Sequence, residues 1–157
     1  MKKVFLSVFL ALTVLCGLLG LAACGGTNGL IFSEYEYEET PGNYIVTSGV
    51  QFDKTRDDFS KVKEVVIPES YRDDNGVYHV TVILENAFKN CGSLEKVTIP
   101  KSIKKICSEA FIGTKLRQIK YEGTKVEWDN IQKEANWKVV SSTGLTPLIC
   151  TDGSYKI

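Results

Sequence analysis

The chain is poor in the residues that build most metal and catalytic centres. It has a single histidine, His79, and no C-x-x-C pair among its five cysteines, so a His/Cys metal site has no ligand set. It also lacks any charge excess, with 19 Lys and Arg against 19 Asp and Glu over 157 residues. Nucleic-acid binding leans on a clustered basic surface. The balance therefore argues against a nucleic-acid partner, and it gives no support for a polybasic membrane patch. Asp73-Asp74-Asn75-Gly76 lacks the alternating oxygen-ligand spacing of a calcium loop and reads as a turn. His79 has no obvious acid–nucleophile partner and reads as structural. No enzyme activity, cofactor or metal is expected.

Long apolar runs are confined to the N-terminus. Lys2-Lys3 precede an apolar stretch over residues 4–21, which closes on Leu21-Ala22-Ala23-Cys24. Small residues before a cysteine form a bacterial lipoprotein signal, in which the thiol is lipidated and cleavage leaves Cys24 as the new N-terminus. The competing reading is a transmembrane helix, because the run approaches the roughly 20 residues that cross a bilayer. Cys24 directly after Ala-Ala, followed by Gly25-Gly26, favours lipidation. Residues 1–23 then form a signal peptide and 24–30 a lipidated cysteine with a short tether. Several acyl chains on Cys24 would anchor the protein stably to the membrane. The mature chain keeps 17 basic and 19 acidic residues, because only Lys2 and Lys3 are lost.

Residues 62–121 repeat one short pattern, apolar-x-x-apolar-x-apolar. It appears as Val62-Val65-Ile67, Leu94-Val97-Ile99 and Leu116-Ile119-Tyr121. The first two copies run into Pro68 and Pro100. Ala87-Phe88 and Ala110-Phe111 mark a second matching point 23 positions apart. A repeat of this length predicts a solenoid, since each unit must stack on a neighbour to bury its apolar face. The first copy carries a nine-residue insertion between Ser70 and Val80. Its Asn75-Gly76 dipeptide predicts a hairpin or loop.

Within a unit, Leu94 to Ile99 reads as a strand that Pro100 ends, and Ile103 and Ile106 return to the core. Ser108-Glu109-Ala110-Phe111 reads as one helical turn capped by Ser108, and Phe88 should stack on Phe111. Parallel stacking would place Lys63, Glu64, Glu95, Lys96, Thr98, Arg117, Gln118 and Lys120 on one exposed face. Its rows set no like charges side by side. This face is the candidate binding site, although for the energetics a solvated face that holds its own register is the favoured reading.

Residues 31–61 read as an N-terminal β cap. Phe32, Tyr35 and Tyr37 alternate with Glu34, Glu36 and Glu38, with a slip of phase around Ser33. A turn at Pro41-Gly42-Asn43 and a second strand from Tyr44 complete a hairpin over the open solenoid end. The acidic run could hold a cation or basic partner, but one solvated face of an edge strand is the simpler reading. Residues 122–157 read as a C-terminal cap. A helix over 126–133 would carry Trp128, which with Trp137 either closes the core or stacks on sugars; closure is favoured. Of Cys91, Cys107 and Cys150 at least one must be unpaired, and free buried thiols are the preferred reading.

The run from Asn86 to Pro100, NAFKNCGSLEKVTIP, resembles the BspA-type leucine-rich repeat, whose units read A-F-x-x-C-x-S-L-x-x-V-x-I-P. Tyr121-Glu122-Gly123-Thr124-Lys125-x-x-Trp128 is similar to the Y-x-G-T-x-x-x-W segment that often closes such arrays, and Cys150-Thr151-Asp152-Gly153 to the segment that follows it. The chain departs in having about two and a half units and Cys107 where Gly is usual. The resemblance implies an α/β solenoid of stacked parallel strands and short helical turns, with a β-hairpin cap and a C-terminal cap. It implies a bacterial surface protein in which the solenoid serves interaction, as in adhesion-type proteins. Together with the signal, this predicts a lipid-anchored, non-catalytic module on the extracytoplasmic face of the cell membrane, with a protein or glycan ligand. The alternative is an accessory or nutrient-capture component of a cell-envelope enzyme or transport system.

Overall fold

The computed structural model describes residues 29–40, 43–55, 61–73, 76–138 and 145–157. The signal segment, Cys24 and residues 41–42 and 74–75 lie outside the described residues.

The apolar-x-x-apolar-x-apolar pattern builds one face of the molecule. Strands β3 (Glu64–Val66), β6 (Lys96–Ile99) and β8 (Gln118–Tyr121) lie side by side and parallel. Val65 pairs with Val97, and Val97 with Ile119. Alternation sends these side chains, with Ile67, Ile99 and Tyr121, into the core. Strand β6 stops before Pro100, as expected of a residue that cannot donate to the ladder.

The return path forms the opposing sheet. Strands β1 (Leu30–Thr40) and β2 (Asn43–Phe52) make the expected antiparallel hairpin. Strand β2 then runs parallel to β5 (Gly76–Ile83), and β5 to β7 (Lys105–Ile106). Ile103 and Ile106 are buried as expected. The Ser70–Val80 insertion is a hairpin, with β4 (Ser70–Asp73) antiparallel to β5. Two details of the N-terminal cap differ from expectation. Leu30 belongs to β1 and is buried, so the tether ends before it. Pairing is continuous through Ser33, and the register shifts instead between Glu38 and Thr40.

The third side of the coil is the largest correction. Ser108-Glu109-Ala110-Phe111 is a hydrogen-bonded turn, not a helical one, and Ser108 caps nothing. The turns at 84–91 and 109–112 are closed by i→i+3 bonds such as Ala87 N–H to Leu84 O and Ile112 N–H to Glu109 O, each 3.2 Å. The reason lies in where the amides go. Asn86, Phe88 and Asn90 donate to Ser108, Ala110 and Ile112 of the next coil at 3.2, 2.7 and 2.8 Å. Amides used between coils cannot also close an α-helix. Asn86, Glu109 and Asn136 occupy equivalent places and share left-handed φ values of 57°, 54° and 58°. Asparagine tolerates that region well.

The parallel ladders run on past Tyr121, beyond the 62–121 span read as repeats. Strand β9 (Gln132–Lys133) pairs with β7, and β10 (Pro147–Cys150) with β8. Strand β11 (Gly153–Lys156) closes the sheet antiparallel to β10. The only α-helix among the described residues, α1 (Lys125–Asn130), is shorter than the predicted 126–133 and opens on a capping box formed by Thr124 and Glu127.

A spine of aromatic rings runs along the axis. Phe88 and Phe111 stack in parallel at 5.0 Å and 5°. Phe52 extends the column at one end, and Trp137 meets Phe111 edge-on at 6.1 Å at the other. Trp128 bridges Trp137 and Tyr121 at 5.9 and 5.4 Å. Both tryptophans thus close the core as favoured from sequence. Cys91, Cys107 and Cys150 are buried and outside any disulfide, and burial pushes the Cys91 thiol up to about 12.

Candidate functional site

The parallel register fixes which side chains look outward from the β3–β6–β8 sheet. Glu64 pairs with Lys96, and Lys96 with Gln118; one row on, Val66 pairs with Thr98, and Thr98 with Lys120. Ile149 of β10 continues the second row beside Lys120. The inward neighbours Val65, Val97 and Ile119 are essentially fully buried, at 1%, 1% and 0% exposure. The outward side chains therefore project from a backbone that the core holds rigid.

Lys63, Glu95 and Arg117 occupy a different place from the other five predicted residues. They precede the strands, and the Lys63 carbonyl accepts from both Glu95 and Lys96 N–H at 2.8 and 3.0 Å. The Glu95 carbonyl accepts from Arg117 and Gln118 in the same way. This row forms the rim of the sheet. Lys63, Glu64, Lys96, Arg117 and Lys120 are exposed, whereas Glu95, Thr98 and Gln118 are half-buried. The structure thus brings all eight residues together as one rim and two rows.

One ion pair crosses the face. Lys96 Nζ donates to Glu64 Oε1 at 2.7 Å, and that bond, followed by the nearby charge, holds the Lys96 ammonium above its usual range. The pair is open to solvent, so it sets side-chain direction more than stability, and salt weakens it. No group of three or more His, Cys, Asp or Glu that could hold a metal ion exists among the described residues.

The model of the BspA type leucine rich repeat region (6 copies) matches residues 58–135. The repeat array belongs to the BspA-type leucine-rich repeat family. Two solved structures resemble it. One is a leucine-rich cell surface protein of Faecalibacterium prausnitzii A2-165, 35% identical, with 47% of this chain and 17% of that chain covered and a TM-score of 0.39. The other is a leucine-rich repeat protein of Bacteroides capillosus ATCC 29799, 21% identical, with 66% and 86% covered and a TM-score of 0.38. The chain thus spans under a fifth of the first relative's length and most of the second's. No curated protein matches.

Sequence reasoning missed part of the BspA-type array. Val66, 60% exposed, and Ile149 add an apolar element to a face read only as polar and charged. Leu145-x-x-Leu148-x-Cys150 repeats the strand pattern a fourth time and was the signal for β10. Among the described residues no helix is long and apolar enough to cross a membrane, and residues 4–21 lie outside them.

Proposed function

We propose that this protein is a non-catalytic interaction module displayed at the bacterial surface, anchored by lipid on Cys24, which docks a protein or glycan on the outward face of the β3–β6–β8 sheet. The observation that carries this reading is the separation of roles along each strand. Inward side chains make the core, while Glu64, Lys96, Thr98, Gln118 and Lys120 are free to serve recognition on fixed supports. Membership of the repeat family supports an interaction role, and the surface description of the Faecalibacterium relative supports the location. The Leu21-Ala22-Ala23-Cys24 box supports the anchor.

The test is capture from host mucus or extracellular matrix by the mature chain, compared with a variant carrying Glu95→Lys and Arg117→Glu together. Both side chains lie on the rim, Arg117 exposed and Glu95 half-buried. The double reversal should weaken a specific partner while the melting temperature stays close to wild type. Undiminished capture by the folded double variant would remove the function from this face.

A further inference from the structure

The stretch from Leu145 through β10 is apolar on its outward face as well as its inward one. Thr146, Leu148 and Cys150 are buried, at 3%, 0% and 7% exposure. Between them Leu145 is 59% exposed, Pro147 is exposed and Ile149 is half-buried. Alternation puts these three in one outward column. The register sets a cation on either side of it, since Ile149 pairs with Lys120 of β8 and Pro147 with Lys156 of β11. Both lysines are exposed. The acids of this region, Glu122 and Asp152, come after the ends of β8 and β10, and Asp152 accepts from Lys125 N–H at 3.0 Å. An uncovered apolar column between cations has the layout of an interface, apolar at the centre and charged at the rim.

The chain itself carries the complement of this layout. In the β1–β2 hairpin Glu34, Glu36 and Glu38 pair with Ser48, Val46 and Tyr44. An acidic column on β1 therefore shares one face with an apolar column on β2. Alternate residues recur about every 7 Å along a strand, and neighbouring strands lie about 4.8 Å apart, so the two sets of columns have the same spacing. This part of the hairpin is also unpartnered. Strand β2 pairs with β5 only over Ser48–Val50, and β1 is the outer strand of its sheet. Two acidic hairpins repel one another, which directs the contact to the cationic surface instead. The hairpin heads one sheet, whereas β10 lies near the far end of the other; the contact therefore joins two molecules.

We propose that the outward face of β10 is a self-association surface that takes the β1–β2 hairpin of a second copy of this chain. Val46 and Tyr44 of that copy cover the Leu145–Ile149 column, and its β1 glutamates meet Lys120 and Lys156. The contact is heterologous, one end of a molecule on the other end of the next. It does not depend on the β3–β6–β8 face binding an outside partner.

Zero-length carbodiimide coupling tests the contact, because it joins an ammonium to a carboxylate only where the two touch. The full chain, half of it labelled with nitrogen-15, is coupled in an excess of detergent micelles, and the linked peptides are read by mass spectrometry. Mixed-isotope links should join Lys120 or Lys156 to Glu34, Glu36 or Glu38. Their yield should fall at least about threefold between about 0.05 and 0.5 M salt, as exposed charge pairs are screened. Leu145→Glu sets a like charge before the incoming acids at a mostly exposed position; it should cut the yield at least about fivefold at an unchanged melting temperature. No links between copies at these residues, links that stay within one copy, or a wild-type yield in Leu145→Glu would each overturn the proposal. Should Leu145→Glu fail to fold, Lys156→Glu takes its place: fewer Lys120 links support the contact, and an unchanged yield overturns it.

Discussion

Truncating Phe111 to alanine tests the stacking of the coils at its most sensitive point. The ring is fully buried, lies flat on Phe88 at 5.0 Å, and takes the edge of Trp137 at 6.1 Å. Removing it opens a cavity between two coils whose backbones are tied by inter-coil hydrogen bonds, including Phe111 N–H to Trp137 O at 2.8 Å. Those bonds resist collapse into the space, so the cost belongs in the full range for such a change, about 3–5 kcal/mol. Domains of this kind are stable by only about 5–15 kcal/mol in total. With a urea m-value of about 2 kcal/mol/M, the unfolding midpoint should fall by about 2 M. Val66→Ala is the control, because that side chain is 60% exposed and its loss should stay within about 0.5 kcal/mol. Equilibrium urea unfolding followed by far-UV circular dichroism reads both. A Phe111→Ala midpoint matching that of Val66→Ala would refute the coil-on-coil alignment.

Cys24→Ala should abolish incorporation of a fatty-acid probe and leave an uncleaved precursor on a gel; label retained by the variant would sink the lipid anchor. The Glu134 carboxylate accepts from the Ser108 N–H at 2.9 Å and pairs with Lys105 at 2.8 Å. The Lys105 bond first, and the Ser108 bond second, depress its folded-state pKa below the ordinary 4.5. Its contribution is therefore present above about 4.5 and is lost as pH falls through the depressed folded value. Glu134→Gln should be less stable than wild type at neutral pH, and the gap should shrink in acid. A gap independent of pH would show that the charge is irrelevant.

Much of the array was legible because the solenoid repeats its hydrophobic pattern. Val65, Val97 and Ile119 announced three strands and their register, and the Phe88–Phe111 spacing announced the stacking. What escaped the sequence was set by hydrogen bonds between coils, which leave no local periodicity. Ser108-Glu109-Ala110-Phe111 has the composition of a helical turn, yet the amides at 109 and 111 are taken by Asn136 and Trp137 of the next coil. Strand β10 escaped because Cys150 and the half-buried Ile149 blur its alternation. The candidate face was legible as a set of positions, but not its division into rim and rows.

Both tryptophans of the chain sit toward the C-terminal end of the array, where Trp128 touches both Trp137 and Tyr121 at the end of β8. Intrinsic emission therefore watches only one end of the solenoid, whereas far-UV ellipticity watches every strand. In a molecule whose coils touch only their neighbours, these two signals need not move together. If the C-terminal coil peels first, the tryptophan signal will change at a lower denaturant concentration than the ellipticity. If the N-terminal hairpin leaves first, the order reverses. The placement of two residues thus makes the unmodified chain a reporter of the direction in which it comes apart.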